Sequence, residues 1–339
     1  MSRLGGRHAA LFLVSTALVL GTLLLVRAEV KGMEGAPTSV EEAGIDTSWS
    51  RLASLARPRP PILVGRPLPV SGPSLTEAPL FVPTASPFRR LLPSPTPAPL
   101  PTPDGVNRRV VVPILMYHHV AVAGPEADAI RTDLSVSPAR FEAQLRYLIE
   151  RGYQPIALRD LIMHIQVGEP LPLKPVVLTF DDGFKDQFTN AYPLLKRYGL
   201  RGTFFIITGF VDEGREEYMS WADIELLHAE GMEIGSHSYT HPSLRGKSFN
   251  YVVWQVLGSK EAIEARTNDR VRLFSYPSGQ YDKLVVDVLE SAGYWGAVTV
   301  EAGSLQSSQL PFELRRIRVR GRYDLEDFDH WLNYWLSHP

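Results

Sequence analysis

Val176-Val177-Leu178-Thr179-Phe180-Asp181-Asp182-Gly183 is an apolar run that stops on two adjacent carboxylates and a glycine. Such a run reads as a buried strand, and Gly183 permits a tight exit from it. Working outward, short apolar runs alternate with amphipathic stretches. Strands are predicted at Val110–Met116, Val176–Phe180, Thr203–Ile207, Glu233–Gly235, Arg272–Tyr276, Gly296–Val300 and Arg316–Val319. Helices are predicted at Pro138–Arg151, Leu158–Gln166, Asp186–Tyr198, Trp221–Ala229, Asn250–Ala265, Lys283–Ala292 and Leu325–Leu336. The first of these carries Phe141, Leu145, Leu148 and Ile149 on one face. Strands alternating with helices imply parallel pairing through βαβ units. Seven such units predict a barrel-like α/β fold with its chemistry at the C-terminal ends of the strands.

Four groups of residues could carry that chemistry. Asp181 and Asp182 emerge together where a strand ends, and like charges so close repel unless a cation lies between them. An Asp capping the helix Asp186–Tyr198 accounts for the pair equally well when it is taken alone. His237 and His241 close the strand Glu233–Gly235 four residues apart, and Pro242 disfavours helix at His241. Taken alone, this pair fits a polar loop as well as a metal site. Together, two histidines and one Asp supply three protein ligands and leave an open position, as a catalytic zinc site requires. Pro277-Ser278-Gly279 makes a turn after a strand, where the Ser278 N–H could face a developing oxyanion. His118 and His119 follow the first strand of the domain, and one of them could serve as a general acid or base. His8, His164, His228, His330 and His338 are given no chemistry. Trp221, Trp254, Trp295, Trp331 and Trp335 read as core rather than as sugar platforms.

The chain has 339 residues, 44% hydrophobic and 21% charged, enough for a sizeable core. Its net charge of −2 gives no footprint for nucleic acid. It contains no cysteine, which excludes disulfides, zinc–thiolate sites and thiol nucleophiles. Arg3 and Arg7 precede Ala9–Val26, 18 residues without a charge. A helix of that length would span about 27 Å, just enough for a bilayer core, with the basic flank in the cytoplasm. Val26-Arg27-Ala28 resembles a signal-peptide cleavage site, while Arg27 within it and the length of the run favour an uncleaved anchor. Fifteen of the 28 prolines fall between Pro58 and Pro103, the mark of an extended polyproline spacer. The expected organisation is a signal peptide or signal-anchor at 1–28, a Pro-rich disordered linker at 29–109 and a catalytic domain at 110–339. The domain is expected outside the cytoplasm, membrane-tethered or secreted.

Thr179–Gly183 followed by His237-Ser-x-x-His241 resembles the polysaccharide deacetylase family, also called NodB-homology or carbohydrate esterase family 4. The similarity covers most of Val110–Val319. The resemblance implies a distorted parallel (β/α) barrel. It makes Asp181 the general base, Asp182, His237 and His241 the ligands of a divalent metal, often zinc, and the substrate an N-acetylglucosamine polymer. That polymer would be peptidoglycan, a chitin-like chain or an exopolysaccharide. The family's third motif usually begins with an Arg that pairs with the base, where this chain has Ser275, and Ser278 stands where the family has an aromatic. The usual late Leu-x-His acid motif finds only Leu336-Ser337-His338, at the end of a helix. The early Tyr117-His118 and late Leu314-Arg-Arg-Ile-Arg-Val319 are similar to a rearranged, exopolysaccharide-directed subgroup in which an early His is the acid. By that match His118 is the acid, His119 is the second choice, and Arg316 is the candidate to replace the missing Arg. Two rivals stand beside this reading: a non-haem iron enzyme, which uses the same ligand types, and a non-catalytic polysaccharide-binding protein on the same fold.

Overall fold

The structure, a computed structural model, describes residues 102–339. The N-terminal apolar segment and nearly all of the Pro-rich stretch lie outside the described residues. No helix among the described residues is long and apolar enough to cross a membrane.

The strands are β1 (Arg109–Val111), β2 (Ile114–Tyr117), β3 (Gln154–Ile156), β4 (Pro175–Phe180), β5 (Thr203–Ile206), β6 (Glu233–Ser236), β7 (Leu273–Ser275), β8 (Gly296–Ala302), β9 (Leu305–Ser307) and β10 (Leu314–Arg318). Hydrogen bonding runs in the order β2-β10-β8-β7-β6-β5-β4, and a β2–β4 pairing closes the ring. All of these pairings are parallel. The result is the expected seven-stranded parallel barrel. Its regularity breaks on β10, whose register against β8 shifts between Leu314 and Arg316.

Two differences from the sequence reading have local causes. The predicted strand Val110–Met116 is two strands. Pro113, which has no N–H to donate, separates β1 from β2, and β1 pairs antiparallel with β9 outside the barrel. β3 was not anticipated; it is three residues long, contains Pro155 and lies at the edge of the sheet, where proline is tolerated.

The helices are α1 (Ala129–Leu134), α2 (Pro138–Glu150), α3 (Leu158–Val167), α4 (Tyr192–Arg197), α5 (Thr208–Asp212), α6 (Trp221–Ala229), α7 (Phe249–Thr267), α8 (Lys283–Ser291) and α9 (Leu325–Ser337). Side chains alternate across each strand, and this sorts the core into two clusters. Leu115, Leu178, Phe204, Phe274 and Ile317 belong to the larger cluster, packed with residues of the surrounding helices. Ile114, Val177, Phe205, Leu273, Val298 and Leu314 belong to the second, together with Leu158, Leu161, Ile162 and Ile165 of α3. The second cluster fills the barrel interior, and α3 closes its floor.

The same alternation determines what stands at the top. Two residues beyond Val177 is Thr179, and two further is Asp181. Likewise Ile114 leads through Met116 to His118, Leu273 to Ser275, Leu314 to Arg316, and Gly235 to His237. These are the residues singled out for chemistry, together with Ser275 and Arg316.

Candidate active site

β4 delivers two carboxylates with different surroundings. Asp181 is 2% exposed and forms a two-pronged ion pair with Arg316, Nη1 to Oδ1 at 2.8 Å and Nη2 to Oδ2 at 2.7 Å. Ser275 Oγ donates to Asp181 Oδ2 at 3.2 Å. Arg316 is fully buried, and its remaining Nε–H donates to Thr299 O at 2.7 Å. Burial alone would raise the Asp181 carboxyl, but the charge and hydrogen bonds of Arg316 outweigh it and hold the group well below the usual carboxylate range. Asp181 is therefore an ionised acceptor throughout the neutral range.

Strand alternation alone would turn Asp182 away from Asp181's side of the sheet. Its left-handed backbone, φ 77°, turns the chain, and Gly183 follows at φ 75°. A side chain at Gly183 would be strained at that φ and would press on Ile206 at 3.2 Å. The turn carries Asp182 Oδ1 to within 3.3 Å of His237 Nε2 and 3.4 Å of His241 Nε2.

The ligand-type atoms of Asp182, His237 and His241 all lie within 4.8 Å of one another. His237 donates its Nδ1–H to Ser275 O at 2.7 Å, which fixes its tautomer and leaves the Nε2 lone pair facing Asp182. Burial, with the charge of His237, lowers His241 to about 4, so its imidazole is neutral near pH 7, as a ligand must be. Burial works to lower His237, but the hydrogen bond to Asp182 and the charges of Asp181 and Asp182 raise it above the ordinary imidazole value, so a bound cation would have to displace its proton. One carboxylate and two imidazoles converging on one point fit a divalent cation of the zinc type.

The loop holding this set is strained and braced. Ser238 and His241 have φ of 63° and 58°. Gln255, fully buried on α7, accepts from the N–H groups of Tyr239 (3.0 Å) and Thr240 (2.9 Å) and donates to Thr240 Oγ1 (2.7 Å). Ser238 Oγ accepts from the His241 N–H at 2.9 Å. Nothing in the local pattern singled out Gln255, because its role depends on where α7 packs.

His118 follows β2 directly, one step beyond the Tyr117–Phe180 pairing, so it stands beside Asp181. Burial lowers its pKa; the negative charges of Asp182 and Asp181 pull against this, while Arg316 and Arg318 add to it. Gln187 ties the two strand exits together, donating to the carbonyls of His118 and Asp181. It does so from a π-helical turn, Gln187–Ala191, where a regular helix over Asp186–Tyr198 was expected. A single widened turn of this kind is a common device at functional sites.

His119 has another task. Its Nδ1 meets Asp186 Oδ2 at 2.7 Å, its Nε2 meets Arg131 Nη1 at 2.6 Å, and its ring stacks on Phe184. Both ring nitrogens are engaged, which makes His119 a structural bridge. Ser278 sits exposed in the turn after β7 with φ 53°. His338 ends α9, exposed, with Nδ1 on its own helix at Tyr334 O.

The parallel barrel presents, at its strand ends, an ion-paired carboxylate beside a two-histidine, one-carboxylate set that could hold a divalent cation. A sequence model of the polysaccharide deacetylase family matches residues 168–297. The Streptococcus pyogenes deacetylase PplD, solved in complex with acetate, superposes with a TM-score of 0.62 at 29% identity, covering 66% of this chain and 98% of that one. The YxkH protein of Bacillus subtilis (strain 168) is 29% identical over 208 residues, 61% of this chain and 71% of its own length. The poly-β-1,6-N-acetyl-D-glucosamine N-deacetylase of Staphylococcus aureus (strain MSSA476) is 23% identical over 213 residues, 59% of this chain and 72% of that one. Over residues 168–297 the chain carries a polysaccharide deacetylase match, and the relatives and the solved structure that it resembles are deacetylases. Asp181, Asp182, His237 and His241 lie inside the matched segment; His118 and Arg316 lie outside it.

Proposed function

We propose that this protein removes N-acetyl groups from an N-acetylglucosamine-containing polysaccharide and releases acetate, with a divalent metal, zinc by the chemistry of the donors, held by Asp182, His237 and His241. The observation that carries the reading is the Asp181–Arg316 pair set beside that ligand group. When bound, the cation would supply Lewis acidity at the reacting amide and its attacking water.

The chain's own residues supply the rest. Asp181, kept ionised by Arg316, accepts the proton of the attacking water. His237 is oriented by Ser275 O, and His241 by the braced loop. The Ser278 N–H is assigned to the developing oxyanion. His118 gives a proton to the departing amine, which otherwise would have to leave as a strongly basic anion. The S. aureus relative supports poly-β-1,6-N-acetylglucosamine as the first substrate to try, with peptidoglycan and chitin-like chains beside it. The reading of a non-catalytic binder rested on the missing Arg and the missing late His; the Arg316–Asp181 pair bears on the first, and the second turns on whether His118 acts as the acid.

The test is acetate release from those three substrates, after chelation and after return of single metals. Release restored by zinc or another divalent ion supports hydrolysis. A folded protein that binds glycan and releases no acetate with any metal is a binder, and this reading then fails. We further propose that the domain is displayed outside the cytoplasm on the Pro-rich stalk, held by Ala9–Val26 or secreted after cleavage. A periplasm-dependent reporter fused after Pro103 should be active, and N-terminal sequencing should separate anchor from signal.

A further inference from the structure

Trp254, read as core from the sequence, is 49% exposed, on the same α7 that braces the metal-ligand loop through its neighbour Gln255. We infer that Trp254, with Tyr251 and Tyr239, is a stacking platform for a pyranose unit of the polymer adjacent to the one that reacts. This rests on the polysaccharide reading above.

Three observations carry it. The first is continuity: Tyr239 lies between the ligands His237 and His241, and its ring meets Trp254 with centroids 5.3 Å apart. Tyr251, one helical turn before Trp254, extends the row at 5.8 Å. The second is rigidity. Besides the brace from Gln255, the Tyr239 carbonyl accepts from the Gly209 N–H at 2.8 Å, and a Cβ at Gly209 would come within 2.6 Å of that oxygen. The Tyr239 hydroxyl donates to Asp212 Oδ2 at 3.1 Å, and Asp212 Oδ1 takes the Trp221 Nε1–H at 2.9 Å. A tyrosine held at both ends keeps the Trp254 ring at a set angle, so little freedom is lost when a ligand settles on it.

The third is chemistry. A pyranose has an apolar face of C–H groups and a rim of hydroxyls. The exposed Trp254 indole offers a face for the first, and the carboxylate of Asp212, held at the far end of the Tyr239 ring that Trp254 meets, offers an acceptor for the second. Binding energy gathered from sugars that do not react can be spent at the reacting one, so a polymer-directed enzyme gains from such contacts.

The experiment compares the wild type with Trp254→Ala and Trp254→Phe in two assays. One is kcat/KM against chain length from the monomer to the hexamer of N-acetylglucosamine. The other is retardation in native gels containing the polymer, which needs no turnover. Trp254→Ala should lose roughly tenfold on the longer chains and in retardation and least on the monomer, which has no second unit to stack, with Trp254→Phe between. Equal loss at every length, or no loss at any, overturns the platform even if acetate is released and the functional reading stands. Retardation of a wild type that releases no acetate, weakened in Trp254→Ala, upholds the platform while hydrolysis fails. A wild type that is not retarded overturns the platform outright.

Discussion

Arg316 and Asp181 lie 135 residues apart and meet in a buried two-pronged ion pair, one from the middle of β10 and the other from just past the end of β4. A guanidinium matches a carboxylate in this geometry, and an ammonium does not. Arg316→Met should leave the burial of Asp181 opposed only by His237, His118 and the Ser275 hydroxyl. Its pKa then rises, and an acid limb that lay below the assay range moves up into it. The sign follows from the base being active only when ionised, so activity falls as pH drops through the raised pKa. The variant should also lose about 3–5 kcal/mol of stability, because an uncompensated buried charge remains. Arg316→Lys should recover only part of either loss. A kcat/KM–pH profile and a denaturation curve check both, and an unmoved acid limb would count against the pairing.

The two adjacent carboxylates should separate cleanly by substitution. Asp181→Asn is expected to keep its metal and lose roughly 10²–10⁴-fold in kcat/KM, as for a lost general base. Asp182→Asn should lose metal affinity as well as turnover. Elemental analysis of both folded variants decides, and the reverse pattern would exchange their roles.

His118 is the proposed acid and must be protonated, so activity should fall as pH rises through its pKa, which burial places below the ordinary 6.5. His118→Gln should keep its metal and flatten that alkaline limb. Arg318 adds to the lowering, so Arg318→Met should move the limb to higher pH. His119→Ala, by contrast, should leave the limb where it is and lower Tm, because it removes a bridge between Asp186 and Arg131. A flattened limb in the His119 variant and not in the His118 variant would transfer the assignment.

Gln255 touches no ligand atom and should still govern the metal. Gln255→Met releases the amides of Tyr239 and Thr240, and the left-handed conformation of His241 loses its brace. Outer supports of this kind are worth about 10–100-fold in metal affinity. Competition titration with a chromophoric chelator should find that weakening, accompanied by an altered visible spectrum in the cobalt-loaded protein. Gln255→Glu, which keeps the acceptor, should recover part of the affinity. Unchanged affinity in Gln255→Met would show that the loop holds itself.

Much of the site was legible in the sequence because it is local. An apolar run with period two ends where charge begins, so the residues that crown a barrel strand can be counted along the chain: Asp181 from Val177, His237 from Gly235, His118 from Ile114. The seven barrel strands and seven long helices follow from the same periodicities, with the first strand divided at Pro113 and the helix over Asp186–Tyr198 opening as a π turn. Which strand ends become neighbours is not local. Arg316 became the partner of Asp181 because closure places β10 beside β2 and β2 beside β4, a consequence of ring geometry that the sequence around Arg316 does not encode. Likewise, Asp182 reaches the histidines through one left-handed residue, Gln255 braces their loop from a distant helix, and Trp254 faces outward because that same helix spends its inward face on Gln255. Periodicity specified which residues reach the rim; the packing of helices on a closed barrel decided which of them touch.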